Sequence, residues 1–451
     1  MIGPADGAPL LGGRRGDEGL SAMLPGAMSV LVFGYVSTVF ATVLPLWSAK
    51  WGKVGAICGG AIESVNLVGA VVGLLIFGME TERRDPAGLA LAACGCCVVG
   101  GVLSAAFPGA LLEAAVEKGG FGMFATFGGW GLLATRFLSG FGAGGLYTLG
   151  ASLEHRRSAD PAKVGLVSCG ISGGSLLIYA VGTLLLVGFG MDAIEIQWRL
   201  TFCFGAFLAL GCGAAIRASY GGHLAPARHA EAPSLARVVE LAEAAGLRDA
   251  AELLTYSWFL QNVGNFGVTT IFPFILADAM DVSLATNFAL SLAVGVASTL
   301  ACCASLVFVR RHPGRPEDAV VEAYVACVAV LLPAAVVGAA LNLVPAASLA
   351  VFVVLRVIFG VPVTALYAFP TTVAPDELGG PLHGACAGVA KLGSVLGTII
   401  FYPIYVSCGK LTLEFVGVAI FVGAYALAVL AARAYKDRPD ASRRATMVKS
   451  G

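Results

Sequence analysis

Lys391 is the residue here whose surroundings most demand an explanation, because it stands in an apolar stretch, 384–406, that contains no acid. A bare ammonium in hydrocarbon is costly unless it snorkels, loses its proton, or meets water or an anion. Eight helical residues separate it from His383, which would carry it about 12 Å into a membrane. Ser394 and Thr398 follow it at helical spacing. A second polar face lies in the stretch 254–277, where Gln261, Asn265 and Thr269 recur every fourth residue with Asn262 beside them. These amides either line a water-filled path or hydrogen-bond neighbouring helices. Ser168, Ser172 and Ser175 make a third, weaker face among glycines, where close packing is an equally good reading. Three further charges, Glu63, Arg136 and Arg356, also fall inside apolar stretches. Arg136 lies about 27 Å along a helix from Glu154. Glu63 and Arg136 could form an ion pair or act as gating charges, with Arg356 in a matching role.

Such groups need elements that hold them in lipid. Of the 451 residues, 58% are hydrophobic and 12% charged, against about 25% charged in a soluble domain. A bilayer core needs about 20 apolar residues per helix, and twelve stretches qualify: 28–47, 54–79, 89–107, 124–149, 164–189, 200–216, 254–277, 285–309, 319–343, 347–369, 384–406 and 411–431. They are called spans 1 to 12 in this order. An offset of 220 residues relates Arg136, Gly140, Leu146 and Tyr147 in span 4 to Arg356, Gly360, Leu366 and Tyr367 in span 10. Gly173 meets Gly393 at the same offset. The expected fold is therefore all-α, with twelve transmembrane helices in two parallel-related halves of six and a midplane solute site on the seam between them. The expected organisation is an N-terminal tail (1–27), a first half (28–216), a linker (217–253), a second half (254–431) and a C-terminal tail (432–451).

Within the linker, Leu235, Val238, Val239 and Ala242 recur opposite Arg237, Glu240 and Glu243, which predicts an amphipathic helix strapping the halves together. Lys50, Lys53, Lys118, Arg199 and Lys410 would lie on one side of the membrane and 20 of the 28 basic residues on the other. By the positive-inside rule both termini are expected in the cytoplasm. No cleaved signal peptide is evident at the amino terminus. Asp6, Leu10 and Leu11 fit an acidic dileucine sorting pattern, so the plasma membrane and an endomembrane are both open.

The twelve cysteines lie in or beside apolar segments and read as small buried thiols, and no spacing suits a metal, a cofactor or a nucleophile. The expected partners are the lipid bilayer and a small-molecule solute, with no nucleic acid and no cofactor.

The segment LLATRFLSGFGAGGLYTLGASLEHRR, with Arg136, Phe137, Leu138, Gly140, Gly142, Gly144, Gly145, Tyr147 and Glu154, resembles the fourth span of the major facilitator superfamily and is closest to its phosphate:proton symporters. A longer match, YAFPTTVAPDELGGPLHGACAGVAKLGSVLGTIIFYP, resembles the end of span 10 and all of span 11 in the same symporters. Pro370, Pro375, His383, Gly384, Lys391, Gly393 and Gly397 carry that match. Trp258-Phe259-Leu260 and Asn262 resemble the start of their span 7. The resemblance implies a transporter, not an enzyme, in which Tyr147, Trp258 and Lys391 line the substrate pocket. It implies phosphate as a candidate substrate, and a coupled proton. The chain departs from the symporters at Gly174, where they have Gln, at Asn262, where they have Asp, and at Val363, where they have Asn. Span 1 lacks an aspartate and Leu146 replaces an acid, so Glu63 is the one carboxylate left deep in a span and weak proton coupling is expected.

Three functions are compatible with these residues: a carrier of a small anion, a carrier of a sugar or other neutral solute, and a non-transporting receptor on a transporter scaffold. For the first, Lys391, Tyr147, Trp258, Asn262, Gln261, Asn265, Ser172 and Ser394 are the expected substrate contacts.

Overall fold

The computed structural model describes residues 23–51, 56–81, 83–111, 113, 126–158, 160–220, 233–280, 282–340, 345–375 and 378–437. The dileucine pattern, Lys53, Lys118 and most of both tails lie outside them.

The described residues are helical and contain no strand. Eleven segments are long and apolar enough to cross a membrane. The remaining expected span, Phe127–Arg157, is a 31-residue helix. Its glycines and its terminal Glu154, His155, Arg156 and Arg157 dilute its hydropathy, but its length is ample for a bilayer.

The first six spans are Leu24–Thr38 continued by Phe40–Trp51, then Ala56–Glu80, Pro86–Ala105, Phe127–Arg157, Pro161–Phe189 and Ile194–Tyr220. Local chemistry sets several starts. Asp85 and Asp160 cap spans 3 and 5, accepting backbone N–H groups just ahead of Pro86 and Pro161 at the first helical turn.

The second six begin with Arg248–Met280, followed by Leu284–Ala304 extended by Leu306–Arg311, and Pro316–Ala340. Span 10 is divided into Pro345–Ile358 and Val363–Val373. The two spans expected at 384–406 and 411–431 are present as the apolar segments Gly379–Tyr405 and Thr412–Lys436, joined without a helix break within Gly379–Lys436. Between them stands a single glycine, Gly409, with no proline, and one glycine costs a helix only about 1 kcal/mol.

The linker helix is Leu235–Ala244, capped by Ser234. Its apolar face is narrower than the sequence suggests: Val238 and Ala242 are buried, whereas Leu235 and Val239 remain exposed. It packs on span 7 and on the last long helix, both in the second half.

Lipid supplies no hydrophobic force between helices, so close packing at small residues must hold the bundle. Gly140 and Gly144 lie against the backbone of Asn66 and Ala70, which seats span 4 on span 2, and Gly393 and Gly397 seat span 11 on span 7 at Phe259 and Val263. Across the seam, span 2 runs beside span 11. Ser64 and Thr398 share a 2.8 Å hydrogen bond near one end, and a Cβ on Gly78 would sit 2.8 Å from the Cα of Gly384 near the other. Spans 5 and 8 make a second cross-seam pair, where Gly182 faces Phe288 and Gly295 faces Leu176.

Candidate functional site

The breaks in spans 1 and 10 decide where polar groups are needed. Span 10 opens at Phe359, Gly360, Val361 and Pro362, where proline has no N–H to donate and restrains the residue before it. At this break the Phe359 carbonyl lacks its helical donor, the Val363 N–H, and the Gln261 side-chain amide donates to it instead. Span 1 breaks at Val39. Arg136 donates to the nearby Val36 carbonyl at 3.1 Å and stacks over Phe40 and Phe202. Gln261 and Arg136 thus satisfy backbone at kinks. Glu63 acts on Arg136 electrostatically, but among the described residues no carboxylate comes within the 4.0 Å of an ion pair.

Lys391 sits at the seam. It is 2% exposed, and its Nζ donates to Asn262 Oδ1 at 3.1 Å. Three rings surround the ammonium: Phe266 at 4.7 Å, Phe33 at 5.0 Å and Tyr147 at 5.2 Å from their centroids, within cation–π range. Phe33 and Tyr147 belong to the first half, while Asn262, Phe266 and Lys391 belong to the second. Asn262 is fixed in turn by donating to the Trp258 carbonyl at 3.0 Å. Among the described residues no carboxylate oxygen lies within 4.0 Å of Lys391.

Beside the cage lies an aromatic cluster of Tyr147, Trp258, Tyr367 and His383. Its ring centroids are 4.8 Å apart for Tyr367 and His383, 5.8 Å for Tyr147 and His383, and 6.0 Å for Trp258 and His383. The Tyr147 hydroxyl, the Trp258 indole N–H, both His383 nitrogens and the Ser394 hydroxyl are buried and have no hydrogen-bond partner among the described residues, which is rare for buried polar atoms.

A second space adjoins the cage through Phe266. It encloses about 20 Å³ and is lined by Thr38, Ile171, Ser172, Ser175, Asn265, Phe266, Thr269, Arg356, Gly360 and Val363. Among its lining groups the Asn265 side-chain carbonyl oxygen is buried with no hydrogen-bond partner among the described residues. Arg356 is buried there and no carboxylate lies within 4.0 Å of it among the described residues.

Of the residues singled out from the sequence, Lys391, Tyr147, Trp258 and Asn262 converge around the cage, with Ser394 one turn beyond Lys391. Asn265, Ser172 and Arg356 converge on the larger space. Gln261 is turned away to the span 10 backbone. Arg136 borders a different cavity, of about 10 Å³, with Tyr35, Ser139 and Phe202. Gly174 cannot stand in for the symporters' glutamine, since it is pressed onto the span 1 backbone at Leu31 and Tyr35. Phe33, Phe266, Thr38 and His383 were not foreseen. A phenylalanine carries no sequence signal of its role in a membrane helix, whereas His383 stood within the recognised span 11 segment.

A sequence profile of the Major Facilitator Superfamily matches residues 119–398, more than half of the chain. The chain belongs to the Major Facilitator Superfamily. Solved superfamily structures share its fold. The proton:xylose symporter XylE, bound to 6-bromo-6-deoxy-D-glucose, aligns over 90% of this chain and 94% of its own with a TM-score of 0.66 at 14% identity. A D-xylose-proton symporter aligns over 90% and 96%, with a TM-score of 0.61 at 13% identity. The human organic anion transporter MFSD10 (TETRAN) aligns over 90% and 98%, with a TM-score of 0.56 at 16% identity. No curated protein matches the chain in sequence. As a superfamily member the protein is a multi-pass membrane protein of the transporter type; at these identities the likeness establishes fold alone.

Proposed function

We propose that the protein is a solute carrier working by alternating access and that its substrate is a small anion, inorganic phosphate or an organic anion, held against Lys391. The observation that supports this reading is a buried seam ammonium whose one hydrogen-bond partner among the described residues is the neutral amide of Asn262. A buried charge without a countercharge is unfavourable, so an anion entering the cage gains affinity in the closed state that a neutral solute does not. Tyr147, Trp258, Asn262 and Ser394 then contact the anion with Lys391, and Ser172 and Asn265 line its path. The halves rock about this fixed site, with both termini in the cytoplasm, in the plasma membrane or an endomembrane. Coupling to protons is weak or absent, because spans 1, 4 and 7 bear no acid at the positions where the resembling symporters do.

A neutral solute such as a sugar is the second reading. The hydroxyls of Thr38, Ser172, Ser175 and Thr269 and the amide of Asn265 around the larger space favour it.

Uptake of labelled phosphate, organic anions and sugars into cells lacking their own carriers separates the two, with and without a protonophore. Lys391→Ala abolishes anion uptake while the protein still reaches the membrane, and Lys391→Arg retains part of it, since a planar fork replaces a point charge. Wild-type anion affinity in the alanine variant would transfer support to the neutral solute.

A further inference from the structure

Lys391 and Arg356 are two buried cations that share Phe266 as a neighbour. The Phe266 centroid lies 4.7 Å from Lys391 Nζ, and the same side chain helps to line the space that Arg356 borders. Arg136 differs from both, because Glu63 stands within electrostatic reach of it and a backbone carbonyl accepts from it. For Lys391 and Arg356 no carboxylate lies within 4.0 Å among the described residues.

We infer that the site takes an elongated organic dianion, one acidic group on Lys391 and the other on Arg356, with its carbon backbone passing Phe266. This deepens the anion reading above and rests on it. Three observations carry the inference.

The first is charge. Two buried cations with no carboxylate within 4.0 Å among the described residues are unfavourable, and a monoanion neutralises only one of them. The second is position. The space by Arg356 meets the Lys391 cage only at the shared Phe266 side chain, so inorganic phosphate seated at Lys391 would leave Arg356 without a countercharge. The third is the lining around the charges, where Asn262 serves Lys391, Asn265 and Thr269 border the Arg356 space, and Phe266 borders both. A ring there suits methylene groups, while Ser172, Ser175 and Thr38 suit a carboxylate's remaining lone pairs or a backbone hydroxyl. The two cations come from different helices, span 10 and span 11, so their separation selects the length of the dianion.

The experiment measures binding to the purified full chain by ligand-induced thermal stabilisation. The probes are straight-chain dicarboxylates from malonate to adipate, monocarboxylates of equal carbon number, and inorganic phosphate. One dicarboxylate length is expected to bind at least about tenfold tighter than its monocarboxylate and than phosphate. Arg356→Gln and Lys391→Gln should each bring the best dicarboxylate down to monocarboxylate affinity, and Arg356→Lys should keep part of the preference. The lysine variant retains the charge and so tests the site even if the glutamine variant fails to fold. Equal affinity for monocarboxylate or phosphate and the best dicarboxylate, with loss only on Lys391→Gln, would overturn the two-cation site and leave the anion carrier standing. Absence of binding by every anion would overturn both.

Discussion

The Tyr367 hydroxyl donates to the Tyr147 carbonyl at 2.7 Å, and the two rings meet edge to face at 4.9 Å. These tyrosines occupy equivalent places in the two halves, 220 residues apart, so each half presents the same residue to the other at the seam. Any rocking of the halves must loosen this contact.

Tyr367→Phe keeps the ring and removes the bond. A hydrogen bond of about 0.5–1.5 kcal/mol corresponds to a shift of about two- to tenfold away from the closed arrangement. In a Ser172→Cys background, labelling of the introduced thiol by a membrane-impermeant reagent should speed up by that factor. An unchanged rate would mean that the bond plays no part in holding the seam.

Asn262→Asp places a carboxylate at the position that now accepts from Lys391 at 3.1 Å. The new charge occupies the ammonium and repels an anion, so anion uptake at neutral pH should fall by about tenfold or more. Protonation of the introduced acid removes that charge, so uptake should recover in part as pH falls and be lost again as it rises. A loss independent of pH would indicate packing damage instead.

The symporters' missing amides can be restored at two positions with opposite outcomes. Gly174→Gln forces a long side chain into the backbone of span 1 at Leu31 and Tyr35, an overpacking that costs about 1–3 kcal/mol or more. Val363→Asn adds its amide to the lining of the larger space and should leave stability within about 1 kcal/mol of the parent. Gel-filtration profile and thermal unfolding midpoint in detergent distinguish them, and equal tolerance would contradict the span 1–5 packing.

Cys169 on span 5 and Cys302 on span 8 bring their sulfurs to 3.9 Å across the seam. A disulfide needs about 2.05 Å, a short movement, so a mild oxidant such as copper phenanthroline should join them and arrest transport until a reductant is added. The Cys302→Ala variant should be insensitive. Continued transport after oxidation, with the cross-link verified by mass spectrometry, would refute the idea that spans 5 and 8 must part.

The apolar runs, the 220-residue repeat and two recognisable segments were enough to place the chain in a twelve-helix transporter fold, because a lipid solvent forces every span to satisfy its own backbone. The same constraint makes intramembrane polar groups visible, so Lys391 and Asn262 stand out as candidate site residues from the sequence alone. Their direct hydrogen bond does not, since it joins residues 129 apart and depends on Gly393 and Gly397 seating span 11 on span 7.

Other assignments required tertiary structure because composition is silent on direction. Gln261 and Asn262 are adjacent in sequence, yet a helix turns neighbours about 100° apart, sending one to a kinked carbonyl and the other to the ammonium. His383 reads as a helix-end residue, but the approach of Gly78 and Gly384 buries that end of span 11 completely. The pairing of Arg356 with the Ser172 and Asn265 pocket joins three helices from two halves. A one-dimensional pattern records the period of each helix; which faces meet across the seam is decided by packing between them.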